Sequence, residues 1–465
     1  MTVPPRAAID LSDTIVALAT AAGRGALAVV RLSGADAHAM ARACLDHWPS
    51  HPRRVTVSRV HDANDVELDQ AVVIRFDAPA SFTGEDVVEI VTHGGSVVST
   101  TVVAALVARG ARPAQPGEFT RRALLNGKLD ILQAEATGDL VSASSRAAQR
   151  AALRQLDGGL SRRVLALRDQ LIGLEALIAY DIDFPEEDDG PIAPARVSAA
   201  TANLIVALEQ LLETARAGEL VREGALVVLA GAPNVGKSSL FNAVLGRNRA
   251  IVTDIPGTTR DAIEAVIDTS TIPLRLVDTA GLRRADDPVE RIGVEVSESY
   301  LARASVVLGC ADSPAAAAAL ASELAGRTDA PIILVRTKSD ICPVGDVELE
   351  RERRAIGAVA GLAASAESGQ GLAALVAAAA DAVLRDAGNV EVDAPVLTHE
   401  RHRYGVSRAL AEVREFQSRW HAADVPALVA AVHLREAVRA LEDLIGRVDV
   451  EDVLDEVFRR FCVGK

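Results

Sequence analysis

In the stretch GAPNVGKSSL, Gly231, Gly236, Lys237 and Ser238 have the GxxxxGK[ST] spacing of a phosphate-binding loop. The stretch follows the apolar run ALVVLA and opens the pattern KSSLFNAVLG, the strand–loop–helix setting that this chemistry needs. Glycines at both ends let backbone N–H groups curl around an anion, and the helix N-terminus adds positive potential. In this arrangement Asn234, Val235, Gly236, Lys237, Ser238 and Ser239 line the phosphates. Lys237 is the cation for the terminal phosphates and a catalytic candidate, and Ser238 is the expected Mg2+ ligand. The alternative is an ordinary glycine-rich turn.

Three further signals follow in the order such a site requires. DTAG, comprising Asp278, Thr279, Ala280 and Gly281, ends the run PLRLV. Asp278 suits the carboxylate on the metal side, and Gly281 can offer its N–H to a γ-phosphate. TKSD, with Thr337, Lys338 and Asp340, ends PIILVR. A carboxylate at Asp340 accepts from guanine N1–H and the 2-amino group, whereas adenine presents an acceptor there and leaves the site unpaired. Thr337 stands where the usual guanine motif has asparagine. A threonine still hydrogen-bonds locally, so the change bears on affinity more than on base choice. SAESGQG then places Ser365 and Ala366 where a base-capping loop belongs.

Between the first two signals lies IVTDIPGTTRD. Thr259 is its candidate for a second Mg2+ contact, made only while a γ-phosphate is present, so that hydrolysis releases the loop. A plain surface loop rich in threonine is the competing reading. The residue after the DTAG glycine is Leu282, where Ras-like enzymes carry a glutamine that orients the attacking water. Leucine has neither donor nor acceptor. Either hydrolysis is slow or another group positions the water, and Arg283, Arg284, Asp286, Asp287, Glu290 and Arg291 are the polar side chains nearby.

These motifs need elements to hold them. ALVVLAG, PLRLVD, SVVLGC and PIILVR are short apolar runs, each ending in a polar or glycine-rich turn, across residues 224–385. That alternation predicts a parallel sheet in an α/β domain. Residues 1–126 mix the strand-like ALAVVRL and QAVVIRF, a turn at DANDVE and a helix VVSTTVVAALVARG ended by Gly110. Residues 127–223 carry apolar side chains at three-and-four spacing in LDILQAEATGDLVSASSRAAQRAALRQL and ALRDQLIGLEALIAY, the mark of amphipathic helix. DIDFPEEDDGPIAPA reads as an acidic, proline-containing loop and solvated turn whose spacing fits no metal loop. Residues 386–465 return to helix. The predicted fold is multidomain: a mixed α+β domain, a helical block, an inserted α/β domain, and a second helical block.

A chain of 465 residues exceeds one ordinary core. Aromatics are only 3%, so the cores must rest on Leu, Ile and Val. The net charge of -15 excludes a general polyanion binder and leaves room only for a local basic patch. HERHRYGVSR, with His399, Arg401, His402, Arg403 and Arg408, is either such a patch or a solvated helix face. Cys44, Cys310, Cys342 and Cys462 are scattered without metal or CxxC spacing, which predicts reduced thiols and a cytoplasmic address. The start, MTVPPRAAIDLSD, has no apolar h-region of a secretory signal, and no run approaches a membrane span. In the closing FRRFCVGK, Cys462 is fourth from the end, but Gly464 and Lys465 suit a prenylation box poorly. A buried inert thiol or a reactive one are the other readings of Cys462.

Taken together, these stretches resemble the MnmE (TrmE) family of tRNA-modification GTPases nearly from end to end. DTIVALAT, GRGALAVVRLSG, SFTGEDVVEI, HGG, PGEFTRRALLNGKLDILQAEA, DIDFPEE, DIPGTTRD, DTAGLR, VERIGVE and FCVGK carry the likeness beyond the phosphate loop, which many GTPases share. The resemblance implies a folate-binding N-terminal domain that forms a homodimer, a helical domain built from both flanks, and an inserted Ras-like G domain. It implies a partner, MnmG, with which aminomethyl or carboxymethylaminomethyl groups are added at C5 of the wobble uridine of certain tRNAs. A tetrahydrofolate derivative, 5,10-methylene or 5-formyl, supplies the one-carbon unit.

For hydrolysis, the resemblance implies that K+ replaces an arginine finger and promotes G-domain dimerisation. Its ligands fall on Asn234, Thr253, Ile255 and Thr258, with Mg2+ on Ser238 and Thr259, and the water-orienting glutamate falls on Glu290. A cation beside the developing phosphate charge makes physical sense. The folate pocket falls on Arg31, Glu89, Lys128 and Lys465, and the tail brings Cys462 near the one-carbon carrier as a catalytic candidate. Two rival functions stand against this. One is an Era- or Der-like ribosome-assembly GTPase, which would need an RNA-binding appendage or a second G domain, and neither is visible. The other is a nucleotide-gated scaffold without modification chemistry.

Overall fold

The computed structural model describes residues 12–183, 194–247, 263–269, 271–278, 290–387, 395–422, 427–446 and 464. The chain divides into two compact units, Met1–Gly138 with Ile445–Lys465, and Asp139–Leu444. Among the described residues no helix is long and apolar enough to cross a membrane.

The first unit is a six-stranded sheet of β1 (Ile15–Leu18), β2 (Leu27–Ser33), β3 (Thr56–His61), β4 (Glu67–Phe76), β5 (Val87–His93) and the two-residue β6 (Arg112–Pro113), in the order β3-β4-β5-β2-β1-β6. All pairs are antiparallel except β1 with β6. The two runs of strand character expected here are β2 and β4. DANDVE is the β3–β4 turn, where the Asp62 carboxylate accepts from the N–H groups of Asn64 and Val66 at 2.8 and 2.9 Å. Helices α1 (Ala37–Arg42), α2 (Ser96–Ala108) and α3 (Glu118–Leu125) complete the unit. Val102 and Leu106 of α2 are fully buried with Val30, Leu32, Val88 and Ile90 of the sheet. Burying one such side chain stabilises the fold by about 1.5–3 kcal/mol. Gly110, at φ 107°, ends that helix as its sequence position predicts: the N–H of Ala111 returns to the Leu106 carbonyl at 3.2 Å.

The second unit begins in α4 (Ile131–Ser142), followed by α5 (Arg146–Leu156), α6 (Gly159–Asp183) and α7 (Pro194–Glu223). The apolar run from 129 to 156 is thus divided, because the Ser145 side chain accepts from the N–H of Ala148 at 3.0 Å and caps a new helix. Asp181 to Asp183 continue α6, and Pro194 and Ala195 already belong to α7. The rest of the acidic loop predicted there lies outside the described residues.

After α7 come β7 (Ala225–Ala230), α8 (Lys237–Arg247), β8 (Ile263–Ile267), β9 (Leu274–Asp278), α9 (Glu290–Arg303), β10 (Val306–Ala311), α10 (Pro314–Leu324), β11 (Ile332–Arg336), α11 (Asp346–Ala355), β12 (Ala360–Ala363) and α12 (Leu372–Ala387). The strand order is β12-β11-β10-β7-β9-β8. β7 and β10 are buried at every residue, as central parallel strands covered on both faces must be. The sheet departs from the all-parallel expectation at one edge, where β8 runs antiparallel to β9. The connection between them is too short for a crossover, so only a hairpin can form. Glu264 and Arg275 pair across it.

Finally, α13 (Glu400–Ala422) packs along α7, and α14 (Ala427–Ile445) follows. The stretch from 450 to 462 that was expected to end the chain as helix lies outside the described residues. His402 in HERHRYGVSR is fully buried and Arg401 donates to the carbonyls of Asp443 and Leu444, both at 3.3 Å. That is not a wholly solvated helix face.

Candidate nucleotide and anion site

In the second unit β7 is flanked by β10 and β9, so the strand order reverses beside it. Ligands in open α/β sheets bind at such a point, beyond the strand C-termini. The loop that follows β7 is GAPNVGKSSL. Gly231 has φ 133°, and a Cβ there would collide with the Cys310 carbonyl oxygen, so only glycine lets the loop pass over β10. Asn234 at φ 66° and Gly236 at φ 98° turn the loop into the first turn of α8. Val235 is buried, whereas Ser238 and Ser239 are exposed on that turn. Lys237 is buried, and its Nζ donates to the carbonyls of Gly231 at 2.7 Å and Ala232 at 2.8 Å. The ammonium is thereby stationed across the loop's mouth. Asp278 is buried at the end of β9.

TKSD leaves β11 on the other side. Thr337 is buried and its Oγ1 donates to the Val235 carbonyl at 2.5 Å. Lys338 has φ 55°, and its Nζ bonds the Asn234 carbonyl at 3.0 Å and Asp312 at 2.9 Å. Two adjacent side chains therefore tie this strand end to two adjacent carbonyls of the phosphate loop. Asp340 is exposed and available to a base. Asp312 is held below the usual carboxylate range by its hydrogen bond from Lys338, against a weaker opposing effect of burial. Ser365 is fully buried: its Oγ accepts from the Ser368 N–H at 3.1 Å and its carbonyl from that of Gly369 at 2.9 Å. Ala366 is half-buried at the start of that loop.

Arg247, in the last turn of α8, donates to the carbonyls of Gly369 at 2.6 Å and Ser368 at 3.2 Å. The helix that opens on the GAPNVGKSSL loop thus ends bonded to the loop after Ser365. Sequence reasoning missed Arg247 and Asp312. Asp312 carried a usable signal, being the first charged residue after a fully buried strand at the sheet's switch point. Burial explains the inert thiol of Cys310, pushed up to about 12, just behind the loop. Thr253, Ile255, Thr258, Thr259, Thr279, Ala280 and Gly281 lie outside the described residues. Glu290 opens α9, and its side chain also lies outside them.

The first unit brings other predicted residues together. Arg31 and Glu89 are register partners across β2 and β5. Arg31 Nη2 and Nε are 2.7 and 2.9 Å from Glu89 Oε1, and both side chains are 22% exposed. The guanidinium lies 5.7 Å from the ring centres of Phe82 and Phe119. Lys128 is exposed, its Nζ donating to the Pro79 carbonyl at 3.2 Å. It shares the 79–85 loop with Phe82, although no bond joins it to Arg31. Cys462 and Lys465 are outside the described residues. Gly464, at φ 101°, sits against the end of β1, where a Cβ would collide with the Leu18 carbonyl. Leu18 pairs with Val30, next to Arg31.

The first unit also holds a charged cluster that the sequence did not announce. Arg122 is fully buried and bonds the Asp13 carboxylate and carbonyl, Glu85 at 3.3 Å and Glu118 at 3.1 Å. Arg112 bonds Asp13 and Glu118 in turn. Burial works to raise the Asp13 carboxyl, but the hydrogen bonds and charges of the two arginines outweigh it and hold it below the usual range. A depressed folded-state carboxyl contributes stability that is present above the unfolded pKa and lost as pH falls through the folded one. Acid titration should therefore weaken this unit once pH drops below about 4, with Asp13→Asn flattening that dependence. Denaturation midpoints between pH 6 and 3 read it directly.

The profile described as the MnmE helical domain matches residues 131–462, and that described as the GTP-binding protein TrmE N-terminus matches residues 14–128. The tRNA modification GTPase MnmE of Azoarcus sp. is 44% identical over 455 residues, covering 97% of this chain and 98% of that protein. The chain belongs to the MnmE family. The MnmE proteins of Heliobacterium modesticaldum and Aromatoleum aromaticum agree, at 40% and 42% identity over 98% of this chain, and 100% and 99% of theirs. The MnmE likeness thus spans both units, including the platform around Arg31 and the loop around Lys237.

Proposed function

We propose that this chain hydrolyses GTP to drive tRNA modification, adding aminomethyl or carboxymethylaminomethyl groups at C5 of the wobble uridine together with an MnmG partner. The observation that carries the reading is the convergence, beyond the C-terminal ends of β7, β9 and β11, of a phosphate loop with buried Lys237, the strand-end carboxylate Asp278 and the guanine-reading Asp340. Lys237 binds the terminal phosphates by leaving the carbonyls of Gly231 and Ala232, which are within its reach. The exposed Ser238 hydroxyl and the buried Asp278 are a hard-oxygen donor pair that suits Mg2+. Asp340 selects guanine, and the 365–371 loop, held by Arg247, covers the base.

The Arg31–Glu89 pair suits a reduced folate. Glu89 can accept the paired donors of a pteridine, Phe82 offers a half-exposed ring, and Lys128 supplies a cation for the glutamate tail. When bound, the folate supplies the one-carbon unit. Arg31 neutralises Glu89 and fixes its direction. On this reading Lys465 belongs to the folate pocket and Cys462 acts as an acid–base or nucleophilic group, and the contact of Gly464 with the end of β1 supports it. The homodimer forms through the N-terminal unit, and the working place is the cytoplasm.

Asn234, Thr253, Ile255 and Thr258 would hold a K+ that supplies positive charge beside the developing phosphate charge, Thr259 would be the second Mg2+ ligand, and Glu290 would orient the water. GTP turnover in K+ should exceed turnover in Na+ at matched ionic strength by at least about tenfold, as expected for losing one charge-stabilising group. Glu290→Ala should lose the same stimulation. Equal turnover in the two salts would return the chain to the RNA-binding-switch reading.

A further inference from the structure

Thr337 is the place where this chain departs from the asparagine of the guanine motif, and its geometry gives the departure a consequence. A threonine hydroxyl has one proton to donate. That proton is committed to the Val235 carbonyl at 2.5 Å, at a residue only 3% exposed. Guanine presents acceptors at N7 and O6 and donors at N1 and N2. A hydroxyl already donating to the loop has nothing left for N7. An asparagine amide carries two protons and can hold the loop carbonyl and N7 at once.

From this we infer that Thr337 is a positioning residue for the phosphate loop and makes no bond to the base. Guanine selection therefore rests on Asp340 at the N1/N2 edge, with N7 unread from position 337. Lys338 supports the same division of labour, since its ammonium holds the adjacent Asn234 carbonyl and Asp312. Together the two side chains latch the base-reading strand end to the loop that carries Lys237. The inference rests on the guanine-nucleotide reading above and refines it.

The test is equilibrium binding of GDP and of 7-deaza-GDP, which lacks the N7 acceptor, to the full chain. The chain should bind both with Kd values within about twofold. Thr337→Asn should gain a preference for GDP of about fivefold, the worth of one neutral hydrogen bond. Thr337→Val should weaken both nucleotides by a common factor of about tenfold, because the Val235 carbonyl loses its donor. Thr337→Ser, which keeps the hydroxyl, should restore both. A preference of fivefold or more for GDP in the unaltered chain overturns the role given to Thr337, as does unchanged binding in Thr337→Val. Binding of neither nucleotide by the unaltered chain overturns the guanine-nucleotide reading itself, and this inference with it.

Discussion

Arg122→Ala should destabilise the N-terminal unit by about 3–5 kcal/mol, the usual cost of breaking a buried ion pair by removing one partner. The side chain is fully buried, and its guanidinium serves Asp13, Glu85 and Glu118 together. Truncation leaves Asp13 and Glu118 with Arg112, and leaves Glu85 with the Ser33 hydroxyl but without its cation. Arg122→Lys keeps the charge but cannot reproduce the fork, so it should fall between. Urea denaturation followed at this unit is the measurement, and a loss under about 1 kcal/mol would show that the carboxylates find other partners.

Lys237→Ala should lower GTP turnover by a factor of about 100 or more, the scale seen when one charge-stabilising donor is removed from a transition state. The folded structure already shows the ammonium bridging the loop carbonyls, so the substitution also removes the cross-tie between Gly231 and Ala232. Binding of GDP and turnover of GTP should both fall, whereas the helical content should not, because α8 begins on the Leu240 N–H to Gly236 carbonyl bond and needs no lysine side chain. Single-turnover hydrolysis, with circular dichroism as the control, separates the two. Turnover within threefold of the unaltered protein would exclude Lys237 from the chemistry.

The sheet of the second unit was legible because its strands are short apolar runs ending in motif residues, and β7, β9, β10 and β11 all lie where those runs fall. β8 was not, although Ala265, Val266 and Ile267 are all buried, since IEAVI is broken by Glu264 and its partner is set by a hairpin. The pairing of Arg31 with Glu89 could not be read from residues 58 apart, because register is a property of the sheet. Buried arginines hide for a different reason. Arg122 in TRRALL looks like any solvated helix charge until Asp13 and Glu85, distant in sequence, join its helix neighbour Glu118 around it. Conversely, Asn234, Lys237 and Thr337 were visible because a phosphate loop works through local spacing. Their mutual bonds, from Thr337 and Lys338 to adjacent carbonyls, were not.

The packing of α13 along α7 has a temporal side. These two helices flank the whole insertion between Glu223 and Glu400, so the ribosome delivers one long before the other. Through that interval the apolar face of α7 that α13 will cover is open, and the inserted domain, whose strands pair with one another, can fold while it waits. Closing so long a loop costs little more than closing a short one, since each doubling adds only about 0.6 kcal/mol. The demand falls on time, and a nascent chain paused near residue 390 should be the form of this protein most prone to aggregate or recruit a chaperone.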